Sequence, residues 1–177
     1  MRDLIDVSGE TPLDATLTER DARWLLTLER ELPAAPDSVW PHLTRPELLV
    51  HWSPCVPDRP LVNVGPATAR ENPDDEPSDA EVLVAREPVE LIHRWGDAIL
   101  CWTLAPRGDD SSTLTLEQAF DDRDFGPDGA AGWHVCLDVL DARLRGRDVD
   151  RVVGQDAVAA GWARLREAYT GVLGDAL

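Results

Sequence analysis

Leu28-Glu29-Arg30-Glu31-Leu32-Pro33-Ala34-Ala35-Pro36-Asp37-Ser38-Val39-Trp40, continued by Leu43-Thr44-Arg45-Pro46-Glu47-Leu48-Leu49 and His51-Trp52, is the stretch on which the fold turns. Its front half closes a strand. Trp24, Leu26, Leu28, Arg30 and Leu32 alternate with Leu25, Thr27, Glu29 and Glu31, the period of two of a strand with one face on a core. Pro33 ends it. The back half starts two short helices: Asp37 or Ser38 stands as an N-cap before Val39, Trp40 and Leu43, and Pro46 occupies the first turn of a second helix.

Downstream, residues 53–78 are broken by Pro54, Pro57, Pro60, Gly65, Pro66, Pro73 and Pro77, leaving room for short strands near 61–64 and 67–70. Clearer strands follow at 80–86, 91–95, 98–105 and 113–120, and their short connections make them antiparallel neighbours. Alternation assigns Val82, Val84, Leu91, His93, Trp95, Leu100, Trp102, Leu104, Leu114, Leu116, Gln118 and Phe120 to one shared inner face. After an acidic loop at 121–128, a helix from 130 to about 145 sets Trp133, Leu137, Leu140 and Leu144 on one side. A further helix at about 156–173 aligns Trp162, Leu165, Tyr169 and Val172. Upstream, residues 1–21 are polar and weakly periodic and are expected to be a flexible leader, which makes 22–177 a single domain.

Bulk composition narrows the function. At 177 residues and 43% hydrophobic, the chain holds one ordinary domain with a real core. A formal net charge of -17 repels phosphate backbones and anionic headgroups, so neither nucleic acid nor a membrane surface is an expected partner. All 17 basic side chains are Arg, which excludes a Schiff-base lysine and the lysine of a phosphate-binding P-loop. Cys55, Cys101 and Cys136 form an odd set without a C-x-x-C pair, and the first 21 residues carry no secretory apolar run. A cytoplasmic protein with free thiols is the expectation.

The order of strand, two short helices, antiparallel strands and terminal helix resembles the helix-grip fold of the START-like (SRPBCC, Bet v 1-like) superfamily. The segment from Leu28 to Trp52 looks like the opening of its subfamily of activator of Hsp-90 ATPase homologues. Glu81-Val82-Leu83, Leu91-Ile92-His93-Arg94-Trp95, Thr113-Leu114-Thr115-Leu116 and Gly132-Trp133 fall where that family has its later strands and the start of its helix. The resemblance implies an α+β architecture, a curved antiparallel sheet of six or seven strands wrapped on a C-terminal helix. It also implies a cavity between them, which in many relatives takes hydrophobic molecules. The acidic Pro-rich segment at 72–79 and the extra C-terminal helix depart from the family pattern.

Trp52, His93, Trp95, Trp102, Gln118 and Trp133 are the candidates to line that cavity, and the same Trp residues are equally suited to fill a core. Arg30, His93 and Gln118 sit at inward strand positions and need partners. They either orient a ligand, or Arg30 meets a carboxylate at the rim and His93 bonds to backbone. Cys55 with His51 and Cys101 with His93 make poor thiol-base pairs. His134 and Cys136 diverge on one helix, and 121–126 lacks the Gly and Glu of a calcium loop. His134, Asp138, Asp141 and Arg145 share a helix face that reads as solvent-exposed. No metal or cofactor is expected. Three functions remain: binding of a small hydrophobic or amphipathic molecule; an enzyme of cyclase, dehydratase or hydrolase type with His93 as general acid or base; or a chaperone-partnered activator.

Overall fold

In the computed structural model, which describes residues 4–174, a six-stranded antiparallel sheet runs in the order β1-β2-β9-β8-β7-β6. Its strands are β1 (Asp14–Arg20), β2 (Arg23–Leu32), β6 (Val82–Arg86), β7 (Glu90–Trp95), β8 (Ala98–Pro106) and β9 (Ser112–Phe120). Short helices α1 (Pro36–Thr44) and α2 (Pro46–Leu49) carry the chain away from β2. A small sheet of β3 (Val56–Pro57), β4 (Thr68–Arg70) and β5 (Ser78–Asp79) then leads to the far edge. The helix α3 (Phe125–Leu144) lies against the sheet, and α4 (Gln155–Ala159) and α5 (Trp162–Gly174) complete the chain. This is the helix-grip architecture, with an open sheet and not a closed barrel. No helix among the described residues is long and apolar enough to cross a membrane.

The inner face expected from alternation is the buried face. Leu26, Leu28, Leu91, Leu100, Leu114 and Leu116 are each at most 1% exposed, and Trp102 and Leu104 join them. One position differs. A bulge between Val82 and Val84 shifts the register, so Val84 pairs with Ile92 on the outer face and Ala85, opposite Leu91, takes the inner place. Alternation cannot foresee an inserted residue, because every position beyond it changes face.

Residues 14–20, read as part of a leader, instead form β1, which pairs along its whole length with Arg23–Glu29 of β2, from Asp14 opposite Glu29 to Arg20 opposite Arg23. Only Leu17 of β1 is buried, so the strand carries too little apolar alternation to announce itself. Residues 1–3 of that leader and 175–177 of the expected domain lie outside the described residues. Two further boundaries move. Neither Asp37 nor Ser38 caps α1, which begins at Pro36 behind Ala35 with the ring supplying the first helical φ. The expected helix at 156–173 is broken at Gly161, where φ is +103 and a Cβ would lie 2.7 Å from the backbone nitrogen of Ser8.

Asp21 and Ala22, with φ of 53 and 61, are the two central residues of the β1–β2 hairpin, the left-handed pair that matches strand twist. Ala at such a position costs about 1 kcal/mol relative to Gly. Ala22→Gly is therefore expected to stabilise the fold by up to about 1 kcal/mol in equilibrium urea denaturation; a lower midpoint would contradict the turn geometry.

Candidate functional site

The helix α3 presents three kinds of surface. At 3.6 residues per turn, Ala130, Trp133, Leu137, Leu140 and Leu144 share one side, and Trp133 from this side reaches Gln118, Trp95 and Trp102 of the sheet. Phe125, Asp128, Gly129, Gly132 and Cys136 share one flank, with Trp133 at its border, and His134 and Asp138 share the other. Thirteen residues of α3 are buried, including both members of the polar flank.

The first flank forms one wall of a cleft of about 420 Å³. Trp95 at the end of β7 and Gln118 of β9 form its floor, and residues 152–158 with Trp162 form its outer wall. That volume falls within the range of small-molecule sites. The outer wall is stapled in place by Arg151, whose guanidinium donates to the carbonyls of Ser53 at 3.1 Å and Glu71 at 2.8 Å. Pro54 and Glu71 belong to the same lining. The Trp133 indole N–H donates to Gln118 Oε1 at 2.8 Å. Because indole can only donate, this fixes the amide orientation and leaves the Gln118 nitrogen as the donor on this wall. Trp95 meets Trp133 edge-on at 5.7 Å. The Cys136 thiol, in the same lining, is pushed up to about 12 by burial, so it is a neutral wall group and not a nucleophile.

Gly132 borders this space. A Cβ there would meet nothing within 4 Å, yet Gly inside a helix costs about 1 kcal/mol relative to Ala. Nothing in the sequence pattern marked Gly132 as a wall residue; a Gly in the middle of an otherwise apolar helix was the available signal.

Of the six candidate lining residues, the structure brings Trp95, Gln118 and Trp133 to the cleft and sets Trp52, His93 and Trp102 apart from it. These last three surround a space of about 10 Å³, no more than a single water occupies. Trp102 packs edge-on between Trp52 at 5.9 Å and Trp133 at 5.2 Å, and the Trp52 indole donates to the His42 carbonyl. Tight aromatic packing, and not a ligand, fills that end of the interior. His93, the candidate general acid or base, is 3% exposed. Its Nε2 accepts the Trp102 N–H at 3.1 Å, so its proton resides on Nδ1, 2.9 Å from the Arg94 carbonyl. Burial lowers it to about 4.

The opposite flank of α3 corrects the solvent assignment of His134 and Asp138. Both are buried beneath α5 and the N-terminal segment, at 1% and 6% exposure. His134 Nδ1 lies 2.9 Å from the Tyr169 hydroxyl, which accepts the Leu13 N–H at 2.8 Å. His134 Nε2 lies 2.9 Å from Glu10 Oε2 and 3.5 Å from Asp138 Oδ2. Arg30 meets its expected carboxylate here: it donates to Asp138 Oδ1, on the helix and not at the rim. Asp138 Oδ2 is buried without a hydrogen-bond partner. Burial raises the Asp138 carboxyl to about 7 against the pull of Arg30, and lowers His134. Glu10, His134 and Asp138 each contribute one ligand-type atom within 4.8 Å of the others, a grouping that local spacing cannot reveal.

No family model and no curated protein matches the chain. Solved structures do. A conserved protein of unknown function from Enterococcus faecalis superposes with a TM-score of 0.72 at 16% identity, over 92% of this chain and 91% of that one. CalU16 from Micromonospora echinospora matches in its crystal structure with a TM-score of 0.66 at 17% identity, over 92% of this chain and 98% of that one. DynU16, a protein of the dynemicin biosynthetic locus, matches with a TM-score of 0.62 at 23% identity, over 71% of this chain and 49% of that one. The likeness is one of fold.

Deep burial of a neutral His93 has a pH signature. Its native value near 4 lies below the 6.5 of an unfolded histidine, so the unfolded state takes up the proton first as pH falls. The contribution is intact above about pH 6.5 and is lost progressively down to about pH 4, on the order of 3 kcal/mol in all. His93→Gln, whose amide oxygen can still accept the Trp102 N–H, is expected to flatten the stability profile between those limits. Denaturation midpoints with the wild-type slope would contradict it.

Proposed function

We propose that the chain binds a small hydrophobic or amphipathic molecule in the cleft between the sheet and α3. The observation that carries this reading is the cleft itself, about 420 Å³ between Trp95 and Gln118 of the sheet, Trp133 of α3 and residues 152–158, with Gly132 bordering open space. Trp95, Trp133, Trp162 and Phe125 supply apolar contact, and the Gln118 amide nitrogen supplies an orienting donor. The fold neighbours support it at the level of architecture, and DynU16, from a biosynthetic locus, comes from a setting in which small molecules are handled. Within the START-like superfamily this reading favours a ligand carrier over the chaperone-activator role that the opening segment resembles.

The test fills the cleft without disturbing the core. Nile red, an uncharged probe, is expected to bind the wild type with one site per chain and to quench tryptophan emission. Gly132→Phe is expected to weaken that binding at least about tenfold, equivalent to about 1.4 kcal/mol. Its melting temperature should not fall, since the new side chain projects into open space. Wild-type affinity in Gly132→Phe would remove the cleft as the site. Native mass spectrometry on protein from its host would then identify the natural occupant, and a chemically altered occupant would convert the carrier into the enzyme of the same cleft.

A further inference from the structure

We propose that Glu10, His134 and Asp138 form a binding site for a first-row divalent cation, with Zn²⁺ the ion that fits it. His134 and Asp138 stand four residues apart on one face of α3, the spacing that lets two side chains reach one ion. Glu10 closes the group from the N-terminal segment. Four-coordinate Zn²⁺, with nitrogen and oxygen ligands at about 2.0 to 2.1 Å, sets ligand atoms about 3.3 Å apart. The separations from His134 Nε2, 2.9 Å to Glu10 and 3.5 Å to Asp138, bracket that value.

A second observation points to a ligand independently of this clustering. Asp138 is 6% exposed and its Oδ2, 3.5 Å from His134 Nε2, receives no hydrogen bond from a donor, its close polar neighbour being the Glu10 carboxyl. A buried carboxylate oxygen left without a donor is costly, and a cation supplies what is missing. The outer contacts are those that orient metal ligands. Arg30 holds the other oxygen of Asp138, leaving Oδ2 directed inward. The Tyr169 hydroxyl, itself fixed by the Leu13 N–H, holds His134 Nδ1 and leaves Nε2 toward the carboxylates. With both carboxylates ionised, as a bound dication requires, they leave one net negative charge against the single guanidinium of Arg30. Imidazole with carboxylates selects transition-metal dications, and Glu10, whose side chain is 43% exposed, provides the route from solvent.

The measurement is calorimetric titration of Zn²⁺ into the EDTA-stripped full chain, with Co²⁺ as a spectroscopic substitute. One ion per chain is expected, with Co²⁺ giving the intense visible bands of a four-coordinate site. Glu10→Gln and His134→Gln are each expected to weaken Zn²⁺ binding by at least about tenfold, and Tyr169→Phe, which removes only an outer contact, by about tenfold. If His134→Gln does not fold, Glu10→Gln decides the matter, because that side chain is half exposed and its replacement is isosteric. Uptake that disappears in moderate salt, as from a merely acidic surface, would overturn the proposal. So would wild-type affinity in Glu10→Gln.

Discussion

A twenty-residue helix with thirteen residues buried has almost no solvent face, and that constraint on α3 governs the rest of the molecule. A helix exposed on one side needs a single apolar stripe; one enclosed all round must find a separate partner for each side. The row of Ala130, Trp133, Leu137, Leu140 and Leu144 supplies one side, with Trp133 on Gln118, Trp95 and Trp102 of the sheet. The remaining sides are closed by elements from the two ends of the chain. Leu165, Tyr169 and Leu173 of α5 are buried, and the N-terminal segment contributes Val7. Because the row that α5 covers includes His134 and Asp138, the enclosure works only if those polar groups are paired as they are buried. Glu10, Arg30 and Tyr169 come from three different elements, so their contacts to His134 and Asp138 form only when the N-terminal segment, β2 and α5 are all in place. Such a network adds little net stability, because desolvation of the charged groups offsets their mutual attraction.

The cleft shows the opposite economy on the same helix. Where α3 faces α5 it is filled with side chains; where it faces residues 152–158 it is thinned by glycine. At Gly129 a Cβ would come to 3.0 Å from the Phe125 ring, a tight contact, whereas Gly132 looks into space. Two glycines near the middle of one helix weaken its intrinsic stability by about 1 kcal/mol each. The helix survives because tertiary packing, and not propensity, holds it.

What the sequence made legible was whatever repeats locally. The period of two in Trp24 to Leu32, and again in the strands ending in Trp95 and Phe120, placed the sheet and its inner face with one error, at the Val82/Val84 bulge. Pro46 at the first turn of α2 was read from chemistry that needs no partner. The hairpin that makes β1 was missed because its turn, Asp21-Ala22, lacks the glycine or asparagine that normally marks left-handed positions. The polar flank of α3 was misread for a different reason. His134, Asp138, Asp141 and Arg145 form an ordinary amphipathic face by spacing, and the groups that cover it lie 124 residues upstream at Glu10 and 35 downstream at Tyr169. The tryptophans split likewise: periodicity shows that Trp52, Trp95, Trp102 and Trp133 point inward, but only three-dimensional packing separates those that border space from those that fill it.

The cleft and the polar cluster lie on opposite flanks of α3, yet both depend on one short stretch of chain. The Val7 N–H donates to the Ala160 carbonyl at 2.8 Å, and Ser8 packs so closely on Gly161 that no side chain fits between them. These contacts hold the junction of α4 and α5, immediately beyond the Ala157 and Val158 that line the cleft and before Trp162. Two residues after Ser8, Glu10 reaches His134 on the other flank. Residues 7–10 therefore brace the outer wall of the cleft with one end and close the polar cluster with the other. In the geometry of the fold, fixing Glu10 also fixes the position from which Val7 and Ser8 hold that wall, so the extra C-terminal helix and the N-terminal segment act as one clamp around α3.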